Sequence, residues 1–180
     1  MKKNYIIVLP LVLFIFLIVC AVIYFFVTHS LSKPKVKYAE FPFKLTYELS
    51  GEVRSIEDII ICEFDGFSID EANGKHRRWK TSLKSGNERV TLLDLRNSNE
   101  TGIYEMPILE LFFDYGSGGY YMGDPNYKNA IPRIKDVIEY KYIDEDGSQG
   151  GWKFTSEEAY ERFGIRLIRW ECALPISNDF

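Results

Sequence analysis

The chain has 180 residues, 46% of them hydrophobic and 16% aromatic, and carries a formal charge of −4 at pH 7. That suits a domain with a substantial core and argues against a nucleic-acid partner, whose phosphates need a basic field. Its three cysteines, Cys20, Cys62 and Cys172, form no CxxC or Cys-His spacing, so neither a metal nor a cofactor is expected.

From Tyr5 to Val27 the chain reads YIIVLPLVLFIFLIVCAVIYFFV, without a charge. As a helix this run is about 35 Å long, enough to cross a hydrocarbon core of ~30 Å. Pro10 falls near its start, where a lost amide donor does least harm. The run outlasts the apolar segment of a signal peptide, and no A-x-A-like site follows it. A lipobox ending at Cys20 is disfavoured by the bulky Val19 and by the apolar residues that continue to Val27. The expectation is an uncleaved anchor at 5–27, with the lipid bilayer as its partner, behind a tail at 1–4. Lys2 and Lys3 face Lys33, Lys35 and Lys37 across the span, nearly a tie for the positive-inside rule. The short Lys-Lys start favours a cytoplasmic N-terminus and an extracytoplasmic domain.

Residues 28–40, with Pro34 and alternating lysines, read as an extended linker to a domain at 41–180. Phe43, Leu45, Tyr47 and Leu49 alternate with polar residues, the period of a half-buried strand, and Ser50-Gly51 is a turn. Ile56 to Phe64 is a β-branched strand with Ile60, Cys62 and Phe64 on one face, followed by an Asp65-Gly66 turn. Trp79 and Leu83 mark a third strand and Val90 to Leu95 a fourth, after a Ser85-Gly86-Asn87 turn. In Ile108 to Tyr115 the apolar face is Leu109, Leu111, Phe113 and Tyr115. Gly116 to Gly119 turns the chain into a short Tyr120-Tyr121-Met122 strand. Val137 to Ile143 is another, and Asp146-Gly147 turns it toward an aromatic one.

A helix over Ser156 to Phe163 is signalled by Thr155 as cap, Glu158 completing a capping box, and Gly164 as the stop. Ile165 to Ala173 is a final strand with Ile168, Trp170 and Cys172 on one side. The fold class is a mainly β, antiparallel, sandwich-like domain with a short C-terminal helix behind an N-terminal transmembrane helix. Cys62 and Cys172 share the phase of the core face, and outside the cytoplasm a bond between them would close a loop of about 110 residues, worth up to ~4–5 kcal/mol. Two buried free thiols are the alternative. An immunoglobulin reading of Cys62, Trp79 and Cys172 fails on the long separation and on the lack of a tyrosine two residues before Cys172.

Three constellations bear on function. The aromatic glycine loop from Asp114 to Asp124, with Tyr115, Gly118, Tyr120 and Tyr121, is the first candidate for a binding surface, although a hairpin connection accounts for it as well. Lys75-His76-Arg77-Arg78-Trp79-Lys80 is a basic run that would bind anions or simply guard a sheet edge. Glu63, Asp65, Glu105 and Glu110 would be needed for carboxylate hydrolysis of a glycan, which requires them to converge. Asp144-Glu145-Asp146-Gly147 begins like a calcium loop but has Gln149 and Thr155 where Gly and Glu are required.

Phe41 to Leu49 (FPFKLTYEL), Cys62 to Phe67 (CEFDGF), Leu83 to Arg89 (LKSGNER) and Arg169 to Cys172 (RWEC) resemble segments of uncharacterised small membrane-anchored proteins of Gram-positive gut-type bacteria. The resemblance implies a bacterial origin and an anchor, and no activity. The expected role is a non-enzymatic interaction or accessory module at the cell envelope, with another envelope protein as partner. A glycan hydrolase and a sugar- or peptidoglycan-binding module are the alternatives.

Overall fold

The computed structural model describes residues 5–29, 31–71, 74–101, 105, 107–129, 137–143 and 146–180. The expected tail at 1–4 and the acidic residues Asp144 and Glu145 lie outside them. Helix α1 spans Tyr5–His29 and contains Pro10. Its described side chains from Val12 to Tyr24 are exposed. Among the described residues no helix is long and apolar enough to cross a membrane.

Strand β1 (Tyr38–Leu49) obeys its alternation, with Phe41, Phe43, Leu45, Tyr47 and Leu49 buried. It begins earlier than expected because the preceding segment is not a loose linker. Pro34 is buried. The Val36 amide donates to Asn178 Oδ1 at 3.0 Å, and Asn178 Nδ2 donates to the Val36 carbonyl at 2.8 Å. Ser50 and Gly51 both have positive φ, at 52° and 86°, and join β1 to β2 (Glu52–Asp70) as a two-residue hairpin.

The Asp65-Gly66 pair is a bulge rather than a turn. Gly66 takes φ 86°, the register against β3 (Gly74–Leu83) slips between Phe64 and Phe67, and β2 continues to Asp70. Four more strands follow: β4 (Val90–Asp94), β5 (Ile108–Phe113), β6 (Val137–Ile143) and β7 (Gln149–Thr155). The expected Tyr120-Tyr121-Met122 strand is not formed: Gly118–Tyr121 make one helical turn, α2, with Met122 as its C-cap. Helix α3 (Ser156–Phe163) has its full capping box and ends at Gly164 with φ 64°. Strand β8 (Ile165–Cys172) closes the domain.

The strands form two antiparallel sheets, in the orders β3-β2-β1-β8 and β4-β5-β6-β7. A single core of side chains from both sheets lies between them: Leu45, Ile60 and Ile165 on one side, Leu111, Ile138 and Tyr140 on the other. Trp170 bridges the layers, its ring 4.8 Å from both Phe43 and Phe113. Two irregularities change which side chains face in. A register slip between Thr46 and Tyr47 against β8 turns Ile168 out, at 48% exposure. Another, between Ile108 and Glu110 against β6, makes Ile108 rather than Leu109 the buried residue.

The expected Cys62–Cys172 bond is absent, and both thiols are free. Cys62 on β2 pairs with Ala39 and Cys172 on β8 pairs with Phe43, so β1 runs between them. Two strand spacings come to about 9–10 Å, beyond the Cα separation of ~7 Å that a disulfide tolerates. Cys62 is fully buried, and that burial pushes its thiol up to about 12. Maleimide should therefore leave Cys62 unlabelled in the native chain at pH 8. Once the chain is unfolded without reductant, both Cys62 and Cys172 should label fully, with no increase after prior reduction. A Cys62–Cys172 linked peptide in a non-reducing digest would contradict the strand order.

Candidate functional site

The aromatic glycine loop turns inward. Ser117 caps α2 through the Gly119 amide at 3.2 Å, and both glycines are buried. Their smallness is a packing requirement: a Cβ on Gly118 would come within 2.7 Å of Thr81 Oγ1, and one on Gly119 within 2.3 Å of the Tyr127 ring. Tyr121 is 1% exposed, packs 5.2 Å from Phe41, and donates its hydroxyl to the Tyr115 carbonyl at 2.5 Å. Burial holds its phenol far above the usual range. Tyr115 and Tyr120 are half-buried against the same core. Thus Tyr115, Gly118, Tyr120 and Tyr121 do come together, as a plug in the core and not as an open platform for a sugar.

The plug ends on a buried charge. Asp124 is 1% exposed and Arg77 4%, and Arg77 Nη1 stands 3.3 Å from Asp124 Oδ1. The same carboxylate accepts from the Trp79 indole at 3.0 Å and from the Asn126 amide at 3.1 Å, where it caps the turn Pro125–Tyr127. Arg77 Nε donates to the Ser32 carbonyl at 2.9 Å, and the Phe180 ring covers the guanidinium at 4.2 Å. The Tyr127 hydroxyl donates to the Arg77 carbonyl at 3.1 Å. One ion pair thereby gathers β3, the segment after α2, the chain leaving α1 and the C-terminus. Its sequence signal lay in parity: Arg77 shares the inward phase of β3 with Trp79 and Leu83.

The remainder of the basic run is engaged locally. Arg78 pairs with Asp65 at 2.8 Å, His76 with Asp70 at 3.4 Å, Lys80 stands opposite Glu63, and Lys75 lies 5.2 Å over the Phe67 ring. As the outer strand of its sheet, β3 uses these charges as an edge guard.

The four carboxylates do not converge. Glu63 and Asp65 sit on β2, whereas Glu110 is on β5 of the other sheet, paired with Arg89 at 3.4 Å. Glu110 lines a cleft of about 360 Å³ that Asp58 also borders. Asp58 is engaged by the Ser85 amide and hydroxyl at 3.2 and 2.5 Å. Glu105 is exposed, with φ 60°. Among the described residues no group of three or more potential metal ligands is assembled.

A second hollow, of about 490 Å³, lies on β6 and β7 and is lined by Glu139, Gly151, Trp152 and Lys153. Trp152 is 57% exposed, and Lys153 is held by Glu139 at 2.8 Å. This is where an aromatic ring reaches solvent from a sheet edge. Sequence reading passed over it because Gly150-Gly151 interrupts any period.

The ion pair is open to direct test. Asp124→Ala should destabilise the chain by roughly 3–5 kcal/mol in denaturant unfolding, because Arg77 is left charged and buried. Asp124→Asn, which keeps the acceptor for Trp79, should lose less. Equal losses for the two would show that the acceptor is immaterial and the lost charge carries the effect; an Asn variant as stable as the native chain would show that the charge is immaterial.

Comparison with models of known protein families, with curated proteins and with solved structures returns no match to this chain.

Proposed function

We propose that the chain is a membrane-tethered interaction module of the cell envelope, held by α1 and docking an extended segment of another envelope protein along β7. The tether is supported by the uncharged run from Tyr5 to Val27, which has the length of a membrane span. The resemblance to anchored proteins of Gram-positive bacteria agrees with it. The placement of the domain outside the cytoplasm rests on the Lys2-Lys3 start, since the separated cysteines no longer argue for an oxidising compartment.

The observation that carries the docking role is the exposed Trp152 on a glycine-flanked edge strand. A sheet edge presents unpaired backbone donors and acceptors, and proteins that do not use an edge guard it. Three of the four edges are guarded. Charged pairs line β3; β4 has five residues and a register slip; β8 is broken by a slip and carries exposed Arg166, Arg169 and Glu171. Strand β7 (QGGWKFT) is the least guarded: its one charge is Lys153, paired with Glu139, and Trp152 beside it is exposed. An added strand would gain main-chain bonds there, with Trp152 as its anchor.

A sugar-binding role would fall to Trp152 rather than to the inward loop, whereas the carboxylate hydrolase has no comparable support.

Two experiments test the reading. After alkaline extraction of membranes the full chain should stay in the pellet, and a chain lacking residues 1–30 should be released. Release of the full chain would end the tethered reading. In intact cells of the native host, a photo-crosslinking residue at Trp152 should give a discrete protein adduct, and one at the outward Glu57 should not. Adducts equal at both positions, or absent at Trp152, would refute docking on β7.

A further inference from the structure

The chain leaving α1 is held against the domain, and that fixes which end of the sandwich faces the tether. The Phe64 amide donates to the Lys37 carbonyl at 2.8 Å, so residues before β1 keep tracking β2. Five residues further back, the Ser32 carbonyl is held by Arg77, which stands opposite Phe67 in the β2–β3 register. The hairpin does not stop at that level. Its ladder continues through Ser68–His76 and Ile69–Lys75 to Asp70–Gly74, three residues and about 10 Å past the Phe67–Arg77 pair.

Five residues separate Val27 from Ser32, a reach of at most ~18 Å. The headgroup layer is itself ~5–8 Å deep. The hairpin end, extending past Ser32 in the direction from which the tether arrives, therefore spans the remaining gap. Ile69 at that end is 75% exposed, although it is a large β-branched residue on a regular strand. Its cross-strand neighbour Lys75 lays its stem back along the hairpin, with its ammonium over the Phe67 ring. The acid beside it, Asp70, is paired with His76 at 3.4 Å, and the exposed Glu71 follows in the turn.

We infer that the end of the β2–β3 hairpin is a second membrane contact, with Ile69 inserted among the lipid headgroups of the bilayer that holds α1. This rests on the tethered reading above and adds to it a fixed orientation. Two contacts, α1 and Ile69, stop the domain from pivoting and present β7 at a constant attitude. The far end of β2 supplies the internal contrast: Val53 is 68% exposed and lies at the opposite end of the same strand.

The test is lipid photolabelling of the full chain reconstituted in vesicles of mixed zwitterionic and anionic phospholipid. A diazirine-bearing residue is placed in turn at Leu17, Ile69 and Val53, all exposed side chains. Lipid adducts are expected at Leu17 and Ile69, with Ile69 about tenfold above Val53, since only a group within the interface meets acyl carbons. Adducts at Leu17 with Ile69 no higher than Val53 would overturn the hairpin contact and leave the tether standing. No adducts at Leu17 would remove the tether, and the hairpin contact with it. Ile69→Asp should cut the adduct yield at a probe placed on Lys75 by a similar factor, and an unchanged yield would count against insertion of Ile69.

Discussion

Strand β1 is bonded along both edges, to the strand that follows it and to the last strand of the chain. Every second side chain from Phe41 to Leu49 is buried in the interlayer core, so the sandwich lacks a centre until β8 has returned across more than a hundred residues. Such long-range closure is slow, because loop entropy is lost before the contacts reward it. Once closed, it decides much of the remaining structure. It inserts β1 between Cys62 and Cys172 and directs residues after Cys172 back along the chain entering β1. Asn178 and Asp179 meet Val36 and Lys35 there, and Phe180 reaches Arg77.

The parts that were legible in the sequence are those set by neighbours along the chain. The alternation in β1 comes from its own side chains, and the limits of α3 come from Thr155, Glu158 and Gly164, which are local hydrogen-bonding and φ requirements. The parts that were not legible depend on what lies across a gap. Asp65-Gly66 has the composition of a turn, yet β2 continues through it because β3 pairs with β2 on both sides, leaving Gly66 to absorb a bulge. Gly118 to Tyr121 is a helical turn capped by Ser117, and Trp79, Thr81 and Tyr127 leave no room for a Cβ at its first two positions. The loop read as a candidate binding surface is packed inward for the same reason, its two glycines lying against Thr81 and Tyr127. A disulfide between the cysteines was excluded by strand order, which side-chain phase alone does not contain.

Charge is distributed in two regimes. On the outer surface, pairs such as Lys44–Glu57, Arg78–Asp65 and Lys84–Glu40 are solvent-exposed and contribute little stability each, and of these Arg78 also puts a charge on the edge strand β3. The contrast with β7 follows: an acidic domain that engages its basic strand residue by residue leaves a glycine-rich edge with a protruding indole uncovered.

Arg77 and Asp124 belong to the second regime. A buried ion pair rarely makes a fold more stable than a well-packed apolar substitute, because desolvation offsets most of the attraction. What it supplies is direction. The guanidinium has a fixed fork of donors, and here one nitrogen is directed at Asp124 and another at the Ser32 carbonyl, with Phe180 closing the face. An apolar side chain in that position would fill the space without fixing where Ser32 lies. What the buried pair fixes is the place of Ser32: it joins the chain leaving α1 to β3 and to the segment after α2.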